Sequence, residues 1–345
     1  MTTTVKAYGV AAQDAPVAPL EIERRGLRAN DVEIAIHYCG VCHSDLHTAR
    51  GDWGPPKFPV VPGHEIIGEV TKIGSGVTDH AVGDRVAVGT VVDSCMSCSE
   101  CEEGHEVHCL RGATFTYGSK DREDGSITHG GYSHGIVTRD HFVLKLPDAL
   151  DAARTGPVLC AGITVWTPLR EHGVERGTKL GVVGLGGLGH MAVKLGAALG
   201  AEVTVFTTSP EKEADARGLG AHHVVMSREP DAMKAARGSL DVIIDTVPVA
   251  HDFQPYLDAL RSRGTLVLVG AIAPLEFHGG KLIVGNKRLA GSLTGGIPRT
   301  QELLDFCAEH DVHPDVEMIA PDAIGEAWER MEAGDVKYRF VIDFT

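Results

Sequence analysis

The sequence predicts an α/β protein built from two domains, one β-rich and rich in loops, the other a doubly wound parallel sheet. Three observations carry that prediction. The chain has 345 residues, more than the roughly 250–300 at which a single hydrophobic core stops growing. The first 150 residues are dense in Gly, Pro and short alternating runs, with turn signals at close intervals, the texture of β structure. From about Gly177 the texture changes to apolar strands alternating with helical stretches, the signature of a parallel sheet covered by helices.

In chain order, Val32–Ile36 and Gly83–Val88 alternate apolar and polar residues and read as half-buried strands. The second region reads as a strand Lys179–Val183, a helix Gly187–Leu199, a strand Glu202–Thr207, a strand Val242–Thr246, a helix near Phe253–Arg261 and a strand Thr265–Gly270. A helix Thr300–Glu309 and an alternating strand Arg339–Phe344 close the chain without the βαβ rhythm. The formal charge of −15 argues against nonspecific nucleic-acid binding, which needs clustered Lys and Arg. No apolar stretch approaches a membrane span, so no membrane partner is expected. The opening MTTTVKAYGVAAQD lacks a basic and then an apolar segment, so a cytoplasmic location is expected.

Four cysteines, Cys95, Cys98, Cys101 and Cys109, follow the pattern C-x2-C-x2-C-x7-C. Four thiolates close a tetrahedral shell around one soft cation and leave no position for substrate, which is how structural zinc is held. An iron–sulfur run would place its fourth cysteine after three residues with proline next, whereas Cys109 follows seven residues on and precedes Leu110. A disulfide reading lacks an oxidising destination. His105 and His108 stand in the last loop as substitute ligands, although four cysteines already suffice.

A second set is dispersed: Cys42 in CHSDLH, His64 in GHE and Cys160 in LCAG. Two cysteines and one histidine with one open position is a known catalytic zinc set. No spacing among them is diagnostic alone, and a buried free cysteine is usually an inert small hydrophobe, the reading given to Cys39 and Cys307.

The strand Lys179–Val183 runs into Gly184-Leu185-Gly186-Gly187-Leu188-Gly189. A G-x-G-x-x-G between strand and helix permits a tight turn and close approach of backbone to pyrophosphate, with N–H donors at the helix start. An NAD site normally carries an acidic side chain about 20 residues on. Here that place reads Thr207-Thr208-Ser209, with Lys212 three residues further. Hydroxyls from Thr208 and Ser209 and the Lys212 ammonium suit a 2′-phosphate and point to NADP. The competing reading is that Ser209-Pro210 merely caps the next helix.

The segments GVCHSDLH, VVPGHEIIGEV, GDRVAVG, LCAGITVW and GLGGLGHMAVK, with the cysteine quartet and the ending GDVKYRFVID, together resemble the zinc-dependent medium-chain alcohol dehydrogenases. The resemblance covers essentially the whole chain and points to the NADP-dependent cinnamyl-alcohol-dehydrogenase branch with its bacterial aldehyde reductases. It implies a GroES-like catalytic domain from residues 1–154 and 291–345 around a Rossmann NADP-binding domain, residues 155–290. It implies that Cys42, His64 and Cys160 hold a catalytic zinc and that Glu65 can approach the metal during ligand exchange. In the same way Asp45 would orient His64, Ser44 and His47 would relay a proton to solvent, and Thr164 and the Leu293-Thr294-Gly295 stretch would touch cofactor.

The activity so implied is reversible hydride transfer between NADPH and an aldehyde, with two zinc ions per chain and a homodimeric assembly. An NAD-linked polyol dehydrogenase shares zinc and fold, but that branch typically offers a carboxylate where this chain has Cys160. A zinc-free quinone reductase would not carry both metal sets. A non-catalytic NADPH-binding protein would lack a ligand or relay residue. Trp53, Phe115 and Trp166 could line an apolar substrate pocket or simply be core.

Overall fold

The computed structural model describes residues 2–270, 274 and 276–345. The chain divides into two compact units, Met1–Cys160 with Gly295–Thr345, and Ala161–Thr294. Among the described residues no helix is long and apolar enough to cross a membrane.

The first unit opens with an antiparallel hairpin, Thr3–Val10 against Val17–Arg24. It then builds a seven-stranded sheet on the strand Asp31–Gly40. The alternation read in the sequence puts Val32, Ile34 and Ile36 inside, where they join Ile66, Val70 and Val86 in one core. Asp31–Gly40 pairs antiparallel with Ile66–Ile73 and with Gly135–Arg139, and Ile66–Ile73 pairs in turn with Arg85–Val88.

The end of the chain joins this sheet. Arg339–Asp343 runs antiparallel to Asp31–Gly40, with Val341 opposite Gly40, and parallel to Val316–Ile319. The Val41 N–H donates to the Phe340 carbonyl at 2.9 Å, which brings the start of the returning strand beside Cys42. The helix expected over Thr300–Glu309 spans Ile297–His310. Pro298 sits in its first turn, where a missing N–H costs no helical hydrogen bond.

The second unit is a six-stranded parallel sheet. Its spatial order is His223–Met226, Glu202–Thr207, Lys179–Val183, Leu240–Asp245, Leu260–Leu268, Arg288–Gly291. Lys179–Val183 comes first in the chain and stands in the middle, with the second strand on one side and the fourth on the other. That reversal leaves a crevice beyond the carboxyl ends of the strands, the place where such sheets bind dinucleotides.

Element limits differ from expectation by a few residues in several places, and two have a plain local reason. The helix after the glycines begins at Gly189 and ends at Ala198, because residues 184–188 are held as a loop. The helix Gln254–Ala259 stops short of Arg261, since Leu260 is already extended and begins the next strand.

Candidate metal centres and dinucleotide loop

Cys42 occupies the N-cap of the helix His43–Arg50, in an extended conformation. Asp45, three residues into that helix, reaches back so that its Oδ2 accepts the Cys42 N–H at 2.9 Å. Its Oδ1 accepts the Gly63 N–H at 3.1 Å and lies 3.4 Å from His64 Nδ1. One fully buried carboxylate therefore fixes two metal-ligand candidates that are far apart in sequence. It occupies the Nδ1 side of the His64 ring and leaves Nε2 as the ligating nitrogen. Gly63 has a φ of +103°, and a side chain there would press on Tyr132 and Cys39, which is why glycine precedes His64.

Cys160 follows the short turn Gly156–Leu159, and its Sγ stands 3.7 Å from Cys42 Sγ. In a tetrahedral zinc site with Zn–S near 2.3 Å, two sulfurs stand about 3.8 Å apart. The Cys42, His64, Glu65 and Cys160 donor atoms all lie within 4.8 Å of one another, and all four residues are buried. A hydrogen bond from Cys160 makes Cys42 much the more acidic thiol against the cost of burial, helped by Arg339 and His64. Cys160 is pushed up by the same partner and by burial. Burial works against a charged His64, but Asp45 and then Cys42 outweigh it and hold the imidazole well above its ordinary range. Two thiols and one imidazole at tetrahedral spacing fit zinc.

Glu65 is 0% exposed and is bound through Oε1 by Arg339, itself 4% exposed. Its second oxygen, Oε2, is buried without a hydrogen-bond partner. Burial, opposed by Arg339 and reinforced by Cys42, raises the Glu65 carboxyl to about 7. The space it fills exists because two neighbours are glycines. A side chain at Gly40 would overlap the Glu65 carboxylate, and one at Gly156 would stand 2.9 Å from the Glu65 carbonyl. Arg339 was missed by sequence reasoning, and its only signal there was a single cation at the head of the strand Arg339–Asp343.

Ser44 donates its hydroxyl to Cys42 Sγ at 3.0 Å. His47, one helical turn on, meets Asp52 Oδ2 through Nδ1 at 2.7 Å and lies tilted against the exposed Trp53 ring with centroids 5.3 Å apart. Phe115 is exposed, whereas Trp166 is 1% exposed and belongs to the second unit's core.

The cysteine quartet forms a separate group, again with donor atoms within 4.8 Å of one another. Cys98 and Cys95 stand 3.5 and 3.9 Å from Cys101, near the tetrahedral S···S spacing of about 3.8 Å and far beyond a disulfide. Backbone N–H groups of Cys95 and Leu110 point at Cys109 and Cys98 sulfurs at 3.4 Å. The Ser97 N–H, against slight burial, brings Cys95 down to about 6. His105 and His108 lie outside the donor group. Inside the loop, buried Glu106 accepts the Ile297 N–H at 2.9 Å and meets His141 Nε2 at 2.7 Å. It thereby ties the lobe to the start of the Ile297–His310 helix, where a carboxylate also suits the helix dipole. Sequence reasoning passed over Glu106, an acid among acids in that loop.

In the second unit the glycine loop leaves the strand Lys179–Val183 with Gly184 at φ +87°. A side chain at Gly184 would meet Thr246 Oγ1 and Val247 Cγ2 at 3.1 Å, and one at Gly189 would overlap the Gly184 carbonyl. Around Gly186 there is open space, so the loop's outer side is free to approach a ligand; Gly187 and Leu188 complete the turn into the helix. Lys212 donates from Nζ to the Leu185 carbonyl at 3.2 Å, which sets its ammonium against the loop. Thr208 is exposed and Ser209 half-buried at the end of the neighbouring strand, while Glu211 faces solvent. Thr164 is buried in the helix Ala161–Glu171.

Two family models match the chain: the alcohol dehydrogenase GroES-like domain over residues 28–148 and the zinc-binding dehydrogenase over residues 187–309. NADP-dependent alcohol dehydrogenase C 1 of Mycolicibacterium smegmatis is 48% identical, with 99% of this chain and 98% of that protein covered. Aldehyde reductase YahK of Escherichia coli is also 48% identical, with 98% of each covered. In structure, a cinnamyl alcohol dehydrogenase of Sorghum bicolor superposes with a TM-score of 0.95 at 43% identity, covering 99% of this chain and 98% of that one. Identity at this level over the full chain, joined to a cysteine–histidine donor set and a glycine loop at the switch point of a parallel sheet, makes the chain a member of the zinc-dependent medium-chain alcohol dehydrogenase family.

Proposed function

We propose that this protein is a zinc-dependent, NADP(H)-linked alcohol dehydrogenase that works as an aldehyde reductase on aromatic or medium-chain aldehydes. The observation that carries the reading is the Cys42–His64–Cys160 donor set, two sulfurs at 3.7 Å and an imidazole oriented by Asp45. Its three buried donors leave one position open for substrate oxygen. The Cys95, Cys98, Cys101 and Cys109 set, with no such opening, holds a second, structural zinc. When bound at the open set, zinc acts as a Lewis acid on the substrate oxygen, and the nicotinamide supplies or accepts the hydride.

The chain's own residues do the rest. Cys42 and Cys160 present sulfur, and Asp45 keeps His64 in the ligating tautomer. The Ser44 hydroxyl, beside Cys42, stands at the donor set, and half-exposed His47 carries the proton on toward solvent. Glu65 stands in the same donor group with its Oε1 bound by Arg339, placed to approach the metal during ligand exchange. Gly184, Gly186, Gly187, Leu188 and Gly189 receive the pyrophosphate, with Thr164 and the Leu293–Gly295 stretch as further contacts. Thr208, Ser209 and Lys212 receive the 2′-phosphate, and the absence of a carboxylate at the strand end supports NADP over NAD. Residues 1–154 with 291–345 form the catalytic domain and 155–290 the cofactor domain, in a cytoplasmic homodimer.

The deciding experiment compares kcat/KM for NADPH and NADH across aromatic and aliphatic aldehydes, with a polyol and NAD as the opposing arm. A strong NADPH preference with aldehydes is expected. Equal efficiency with both cofactors, or a better polyol–NAD reaction, would overturn the cofactor and substrate reading.

A further inference from the structure

Asp45 is held by more than the two ligand segments. Tyr132, 0% exposed, donates its hydroxyl to Asp45 Oδ2 at 3.0 Å, the oxygen that also accepts the Cys42 N–H. The same residue clamps the His64 segment through its backbone, since the Tyr132 N–H donates to the Pro62 carbonyl at 2.9 Å. Gly130 and Gly131 do likewise to Val61 and Gly63, at 2.7 and 2.8 Å. On its far side the Tyr132 ring packs against Trp328 of the helix Ile324–Glu332, with centroids 6.5 Å apart. The phenol is thus wedged between that helix and the one carboxylate shared by Cys42 and His64.

A carboxylate with four lone-pair directions, buried and facing an imidazole, turns easily about its last torsion unless each oxygen is tied. Oδ1 is tied to the Gly63 N–H and faces His64; Oδ2 has the Cys42 N–H and the phenol. The Cys42 N–H lies on the helix that carries Asp45 itself and fixes the carboxylate only relative to its own backbone. The Gly63 N–H ties Oδ1 from the His64 segment, Tyr117 meets Asp45 from beside the His64 ring, and the Tyr132 phenol ties Oδ2 from the segment that also clamps residues 61–63.

We propose that Tyr132 is a positioning residue for the catalytic metal centre: its hydroxyl locks the Asp45 carboxylate in the orientation that aims His64. This rests on the reading of Cys42, His64 and Cys160 as a zinc site. Groups that orient metal ligands from one shell out typically change metal affinity by about 10–100-fold when removed, and Tyr132→Phe deletes the hydroxyl while keeping ring, packing and backbone clamp.

The test measures zinc affinity by chelator competition in the full-length protein, with the Cys95–Cys109 quartet as internal reference, for the wild type, Tyr132→Phe, Asp45→Asn and the double variant. Tyr132→Phe should weaken zinc at the Cys42 set by about 10-fold, leave the quartet unchanged, and lower kcat with little change in KM for NADPH. In the Asp45→Asn background the same substitution should add almost nothing, because the path through Asp45 is already broken. A Tyr132→Phe protein that melts lower but binds zinc like the wild type, or losses that multiply in the double variant, would overturn the proposal. A wild type holding no zinc at the Cys42 set would instead overturn the site reading on which it rests.

Discussion

The Glu65–Arg339 pair offers the sharpest energetic test of how the returning strand supports the site. Both groups are buried, and a single hydrogen-bonded ion pair joins residues 65 and 339. Replacing one partner leaves the other charge in a medium that cannot solvate it, a loss of about 3–5 kcal/mol in comparable pairs. Replacing both with apolar residues of similar size removes that penalty and is often close to neutral. Glu65→Leu and Arg339→Met should therefore each destabilise strongly, and the double variant should recover most of the loss. For a unit of this size about 1 kcal/mol corresponds to roughly 2–4 °C, so each single variant should melt about 6–20 °C lower. The assay is thermal unfolding followed by circular dichroism on the four proteins, read as a double-mutant cycle. Single variants within about 1 kcal/mol of the wild type, or single effects that simply add, would refute the claim that a buried pair anchors the strand.

The other predictions address separate links. Lys212→Ala should raise KM for NADPH by about 10-fold or more, the worth of one charge-assisted hydrogen bond, while KM for NADH barely moves; steady-state kinetics with both cofactors decides it. His47→Gln should cut kcat for aldehyde reduction by about 100-fold, the usual contribution of a proton-transfer group, with zinc content unchanged by metal analysis. Glu106→Ala removes the acceptor for the Ile297 N–H and the partner of His141 Nε2 together. It should cost about 1–3 kcal/mol, seen as a lower melting temperature with the cysteine quartet still metal-loaded.

What the sequence revealed depended on whether a signal was local. The glycine loop could be read because strand, turn and helix are adjacent in the chain, and the positive φ at Gly184 and the close approach at Gly189 require glycine there. The quartet could be read because its four thiols lie within one short loop. The dispersed set Cys42, His64 and Cys160 carried no diagnostic spacing, and only the resemblance of whole segments joined them. Arg339, Tyr132 and Glu106 escaped because each acts on a partner brought near by sheet pairing or chain return: Val341 opposite Gly40, Tyr132 against Pro62, Glu106 against Ile297. No periodicity or spacing encodes such a partner. The Ile297–His310 helix began earlier than expected because Pro298 at its first turn starts the helix instead of preventing it.

The central claim is that an open zinc site at Cys42, His64 and Cys160 performs the chemistry while the quartet holds a second ion. Metal analysis of purified Cys160→Ala beside the wild type, with aldehyde-dependent NADPH consumption measured on the same samples, tests it most directly. Zinc should fall from two ions per chain to one, matching the two donor groups, and aldehyde reduction should disappear while the fold persists by circular dichroism. Unchanged zinc content together with unchanged activity would contradict it.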